Sequence, residues 1–202
     1  MEITRINTYD DCRFSQNVLY QHGAYIIADE TYEVEIVSKN SAIVRGKDCS
    51  AFGELIEEFR YHAPHINIFL NEAGTVIKKY PADEEIWVNL PDIQPSQFYI
   101  DQDKLDAVRR FVHSAEDIVV QVISWNNRYI SLDGHTRLYL AHTLGFKQVK
   151  AVFVDPEEWV WQFVNEAQKS GIVTAGDMQL LPHDDYEVKW NQFCDSLFAE
   201  NQ

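Results

Sequence analysis

The chain has no run of about 18 apolar residues, the minimum for a membrane-spanning helix. Its opening, MEITRINTYDD, also lacks a basic stretch followed by an apolar one. No membrane partner and no secretion signal are therefore expected, and a cytoplasmic location follows. Cysteine is scarce. Cys12, Cys49 and Cys194 are widely spaced and odd in number, which excludes a disulfide framework and argues against a zinc cluster; reduced, buried thiols are expected. His62 and His65 flank Pro64 with no third ligand nearby, so no metal-binding cluster is expected there or elsewhere. Internal repeats, low-complexity segments and a glycine-rich pyrophosphate loop are missing as well. Positive charge is in short supply: 17 Lys and Arg stand against 32 Asp and Glu, a net charge of -15. Non-specific affinity for nucleic acid comes largely from basic side chains neutralising phosphates, so this balance weighs against such a partner. The stretch 157–202 is more acidic still, with two lysines against nine carboxylates. Arg137, Lys147 and Lys150 remain compatible with one small phosphorylated ligand.

What is present is a globular composition. With 202 residues, 46% hydrophobic and 13% aromatic, the chain can bury a core in one large or two small domains. Residues 1–85 read as a small α+β unit. Strands are expected over 25–28, 32–37 and 41–45, the last two joined at Lys39-Asn40. Ser50 is expected to cap a helix whose Phe52, Leu55, Ile56 and Phe59 share one face, and a hairpin should turn at Asn71–Gly74. Pro81–Glu85, proline-led and polar, is the best boundary. In 86–155, Leu105, Val108, Phe111, Val112 and Ala115 form a helical stripe and Ile118–Ser124 a dense apolar strand. In 156–202, Trp159, Phe163 and Ala167 share a helical face ended by Gly171, and Tyr186, Trp190, Cys194 and Leu197 share another. Their aromatic weight suits core packing, or contact with a second copy or another protein.

The chemistry is concentrated in 129–155, YISLDGHTRLYLAHTLGFKQVKAVFVD, where a strand, a polar turn, a helix and a second strand follow with no spare residues. Gly134 permits a positive φ, and the amides after it are the unpaired donors of a helix N-terminus, which attracts anions. Arg137 adds a cation, Thr136 a hydroxyl, and His135 a proton donor or acceptor. Asp133, facing the same mouth, can hold a metal ion or orient a hydroxyl. A plainer reading has Asp133 capping the helix, Gly134 making the turn and Arg137 pairing with a carboxylate. Five consecutive polar or glycine residues exceed what one cap requires.

The DGHTR turn, with Leu144-Gly145 and the strand 149–152 behind it, resembles the second box of the superfamily shared by the ParB N-terminal domain and sulfiredoxin. Ile93-Gln94-Pro95-Ser96-Gln97 resembles its first box. The resemblance covers roughly 86–155. It implies a ParB/sulfiredoxin-like mixed sheet with packed helices, preceded by the small α+β unit and followed by a helical extension. Sulfiredoxins place their catalytic cysteine where this chain has His135. ParB-type proteins carry a Glu and a second Arg in place of His135 and Thr136 and continue into a basic DNA-binding region, whereas here the continuation is acidic. The branch with a DGH-x-R loop includes nucleotide-dependent kinases of free serine. It implies phosphate binding by Gly134, His135, Thr136 and Arg137, a transfer centre at Asp133 and His135, a substrate loop at Ser96 and Gln97, and ATP or ADP with Mg²⁺. That branch has a glutamate base in its first box, where this chain has Gln97, and an amide cannot accept the proton. Asp101 is the nearest carboxylate, and it also has a plain use as the cap of the helix before Lys104 and Leu105. The expectation is a protein that binds a nucleotide or phosphorylated metabolite and acts as a small-molecule phosphotransferase if Asp101 supplies the base. The alternatives are a regulatory or interaction protein that retains the fold and, against the charge balance, a ParB-like DNA-binding or nuclease protein.

Overall fold

The structure is a computed structural model and describes residues 2–156 and 158–199. It is a mixed α+β molecule whose chain packs as two compact units, Met1–Asp83 and Glu84–Gln202. The division falls within the proline-led stretch, and the described part of 156–199 belongs to the same unit as 84–155. Residues 157 and 200–202 of the expected extension lie outside the described residues. Among the described residues no helix is long and apolar enough to cross a membrane.

The first unit contains β1 (Ile3–Arg5), α1 (Gln16–Tyr20), β2 (Ala24–Ile27), β3 (Glu30–Ser38), β4 (Ser41–Gly46), α2 (Phe52–His62), β5 (Ile68–Leu70) and β6 (Val76–Lys79). The strands lie side by side in chain order, antiparallel except for β4 and β5, which run parallel because α2 carries the chain back between them. Strand alternation decides what each face buries. Tyr25, Ile27, Val34, Ala42 and Val44 meet Phe52, Leu55, Ile56 and Phe59 of α2, while Ala24 meets Val18 and Leu19 of α1 on the opposite face. The cap of the α2 region is Asp48 rather than Ser50: its carboxylate accepts the Ser50 amide at 2.9 Å and the Ser50 hydroxyl at 2.7 Å, setting a 3-10 turn before the helix. A longer polar arm two residues back reaches the first free amide better than Ser50 can. Cys12 and Cys49 are exposed, contrary to the expectation of buried thiols; only Cys194 is partly covered.

The second unit contains β7 (Ile86–Asn89), β8 (Ile93–Pro95), β9 (Tyr99–Asp101), α3 (Gln102–Arg109), β10 (Val119–Trp125), β11 (Arg128–Asp133), α4 (His135–Thr143), β12 (Gln148–Phe153), α5 (Val160–Lys169), β13 (Gln179–Leu181), α6 (His183–Tyr186) and α7 (Gln192–Ala199). Its main sheet has the order β7-β12-β10-β11-β8. The β10–β12 and β11–β8 pairs are parallel, the others antiparallel. Val120 and Val122 pack with Leu138 and Ala141 of α4 and Leu105 of α3, forming the larger core on one face. Ile123 and Ile130 meet Val160 and Val164 of α5 in a smaller cluster. Each fully buried aliphatic side chain contributes roughly 1.5–3 kcal/mol.

Three departures from the sequence reading position the site. The helix α3 stops at Arg109, and Ala115 belongs to a separate 3-10 turn closed by a Ser114–Asp117 capping box, because Ser114 and Asp117 offer the backbone amides a better partner than a continued helix. The last helix is not uniform: α6 and α7 are joined through a π-helical turn at Glu187–Asn191. Finally, β13 pairs with β9 in a two-stranded parallel sheet, with Leu181 opposite Asp101.

Candidate functional site

The two polar stretches singled out in the sequence meet at the carboxyl ends of two parallel strands. Tyr129, Ile130 and Ser131 of β11 face Ile93, Gln94 and Pro95 of β8, so both strands release their chains at the same edge of the sheet. From β11 the chain turns at once into α4. Gly134 is the N-cap residue, with φ +87° and ψ 19°, and the helix begins at His135. Space as well as φ demands glycine here. A Cβ would lie 2.8 Å from Val120 Cγ1 and 3.2 Å from Arg137 Nη2.

Asp133 does not cap the helix, since no side chain does so. Its carboxylate instead accepts from Arg137 Nη2 at 2.6 Å, while Arg137 Nη1 donates to the Val119 carbonyl at 2.6 Å. The guanidinium is thus folded back beside the turn, largely covered (12% exposed), whereas Asp133 is half exposed. The arm ties β10 to the start of α4 and leaves its charge next to Gly134.

His135 is buried, and Ser96 from the first box holds it. The Ser96 amide donates to His135 Nε2 at 3.2 Å, and the Ser96 hydroxyl, 3.1 Å from the same nitrogen, donates to the Ser131 carbonyl at 2.9 Å. The single hydroxyl proton is used on that carbonyl, so the amide is the donor to Nε2 and the neutral ring carries its proton on Nδ1. Burial pushes the imidazole down to about 4, with a smaller contribution from Arg137, against upward pulls from Asp133 and from a hydrogen bond with the Ser131 backbone. At neutral pH His135 is an uncharged spacer between the two boxes. Thr136, on the first turn, is partly exposed.

The rest of the first box faces elsewhere. Gln97 donates its amide to the Tyr99 carbonyl at 2.6 Å and to the Tyr186 hydroxyl at 3.2 Å. Asp101, the alternative base, has no exposed surface. One of its oxygens accepts the Asp103 amide at 2.8 Å, capping α3, and the other is 2.7 Å from His183 Nδ1. Gln97 and Asp101 are therefore brought to the second sheet and α6, while Ser96 alone reaches the DGHTR turn. His183 and Tyr186 were not legible as partners of this region. Their link depends on the β13–β9 pairing across about 80 residues, and a three-residue strand leaves little periodic signal. Phe98, between Gln97 and Tyr99, packs on Trp190 at 5.1 Å and Phe193 at 4.8 Å, so the aromatics of the C-terminal helices cover this loop.

No protein-family model matches the sequence, and no curated protein matches it. Among solved structures the chain is similar to the crystal structure of protein Atu1540 from Agrobacterium tumefaciens, with 12% sequence identity and a TM-score of 0.32. The alignment covers 46% of this chain and 52% of that one, about half the length of each. A likeness of that size carries no argument about fold or activity.

Proposed function

We propose that the chain binds a phosphorylated small molecule, of the nucleotide type, at the turn between β11 and α4. The observation that carries this reading is the convergence of Ser96 and the DGHTR turn at the carboxyl edge of β8 and β11. A left-handed glycine opens a helix there, and its first amides lie beside a fixed guanidinium. Backbone amides at a helix N-terminus and a neighbouring cation are the elements that hold phosphate oxygens. In this arrangement Gly134, His135 and Thr136 offer backbone amides, Thr136 adds its hydroxyl, and Arg137 contributes charge from beside the turn. Asp133, half exposed at the mouth, suits a ligand hydroxyl or a Mg²⁺ ion carried in with ATP or ADP. The sequence resemblance to the ParB and sulfiredoxin superfamily, in its free-serine-kinase branch, supports the same ligand class.

Binding without transfer is the second reading, and one observation favours it. Gln97 is engaged as an amide and Asp101 is fully buried, so neither first-box position offers a carboxylate to an acceptor hydroxyl. A regulatory protein that senses the ligand fits this better than a kinase whose base is Asp101. Thermal shift with a panel of nucleotides and phosphorylated amino acids, with and without Mg²⁺, tests the ligand, and phosphorus NMR of the same mixtures tests transfer. Arg137→Ala is expected to weaken a phosphate ligand about ten- to a hundredfold, as loss of a charge-assisted bond implies. No stabilisation at millimolar ligand, or equal affinity in wild type and Arg137→Ala, would place binding elsewhere.

A further inference from the structure

The pairing of β13 with β9 does more than cover the first box. Leu181 lies opposite Asp101, and both strands then enter helices, so the side chains at and just after their ends converge. Asp101, Asp103 and His183 each place one ligand-type atom within 4.8 Å of the other two. We propose that these three residues form a binding site for a divalent first-row transition-metal ion. This reading does not depend on the phosphate-ligand reading of the DGHTR turn, since the two share no residue.

Three features suit the group to a metal ion. First, Asp101 Oδ2 and His183 Nδ1 are 2.7 Å apart. Two ligands each about 2.1 Å from one ion and about 90° apart are separated by about 3 Å, so the hydrogen-bonded pair has only a few tenths of an ångström to part to become adjacent ligands. Second, Asp101 is held rigidly: fully buried, with Oδ1 fixed by the Asp103 amide and Oδ2 directed at the imidazole. A preset carboxylate costs little to organise around an ion. Third, the far nitrogen of the ring, His183 Nε2, faces Glu187 Oε1 at 3.7 Å. A carboxylate behind a ligating histidine is the usual way its ring is oriented and its basicity raised. The acids Asp184 and Asp185 in the first turn of α6 add to the negative field.

The donor set selects the ion. One imidazole and two carboxylates suit Zn²⁺, Co²⁺ or Mn²⁺ better than Mg²⁺, which favours an all-oxygen shell, and Zn²⁺ should bind more tightly than Mn²⁺. Three protein ligands leave the remaining positions to water, so the site is of the open kind. A metal ion takes the unprotonated Nδ1 of the imidazole, which leaves the ring proton on Nε2, facing Glu187.

Titration of the full-length chain with Zn²⁺ by calorimetry and with Mn²⁺ by electron paramagnetic resonance tests the proposal. One site per chain is expected for each ion, with Zn²⁺ the tighter. His183→Ala and Asp103→Asn should each weaken Mn²⁺ at least tenfold, and Glu187→Gln by less. His62→Ala, at a histidine in the other unit, should change nothing. Asp103 is partly exposed, so Asp103→Asn remains decisive should His183→Ala fail to fold. Absence of saturable binding of either ion, or unchanged Mn²⁺ affinity in Asp103→Asn, overturns the proposal. A site abolished by His62→Ala also overturns it.

Discussion

His135 gives the second unit a measurable dependence on pH. In the unfolded chain its imidazole titrates near 6.5, and in the folded chain burial holds it at about 4. The folded pKa is the lower one, so on acidification the unfolded chain takes the proton first. Stability from this residue is therefore complete above the unfolded value and falls as the pH drops toward about 4; below that both states are protonated and no more is lost. A difference of about 2.5 units at about 1.36 kcal/mol per unit gives a full loss of about 3 kcal/mol, of which roughly 2 to 3 has gone by pH 4.5. Set against a domain stability of about 5–15 kcal/mol, that is a large share. The assay is favourable because all five tryptophans, Trp87, Trp125, Trp159, Trp161 and Trp190, lie in the second unit, so their fluorescence follows its unfolding alone. Urea midpoints at pH 7 and pH 4.5 should be compared for wild type and His135→Gln, whose amide oxygen can still accept from the Ser96 amide. The variant should be less stable at pH 7 yet lose about 2 kcal/mol less on acidification. The His62 imidazole, also held below its ordinary value mainly by burial, lies in the other unit and does not confound the tryptophan signal. Equal losses in the two proteins would refute the assignment of a buried, neutral His135.

Two further substitutions probe the site's construction. Gly134→Ala meets both a positive φ and a contact of 2.8 Å with Val120, so it should lower stability by about 1–3 kcal/mol in the same fluorescence assay; a change within error would mean the turn is not built as described. Gln97→Glu removes the amide that serves the Tyr99 carbonyl and places a carboxylate against it. A cost of about 1–3 kcal/mol is expected, with no phosphotransfer in phosphorus NMR; a stable variant that transfers phosphate would restore the kinase reading.

The β11–α4 passage was legible because every local signal agreed. Alternation ended at Asp133, Gly134 opened the helix, and Gly145, at φ +76°, closed it with the Phe146 amide donating to the Ala141 carbonyl. The hairpin at Asn71–Gly74 was readable for the same reason, and its Asn71 side chain accepts the Thr75 amide at 2.9 Å. What escaped depends on partners far away in the chain. Residue type and spacing offered Asp101 as a base or as the cap of α3; it is the cap, and only the pairing with β13 shows it sealed beside His183. Gln97 was readable as an amide, but not as one engaged with Tyr99 and Tyr186. Arg137 could be placed at the turn, whereas its bond to the Val119 carbonyl requires knowing that β10 lies next to β11.

The β13–β9 pair also sets an order of events during synthesis. The first unit is complete once Asp83 has left the ribosome, and it can fold while the remainder is still being made at about 5–20 residues per second. The second unit cannot do the same. Until β13 emerges, β9 lacks its neighbour, Asp101 lacks the His183 imidazole, and Phe98 waits for Trp190 and Phe193. For several seconds the nascent chain therefore presents an open strand edge and an uncovered aromatic ring, which is the interval in which a holdase or a misplaced strand would find it.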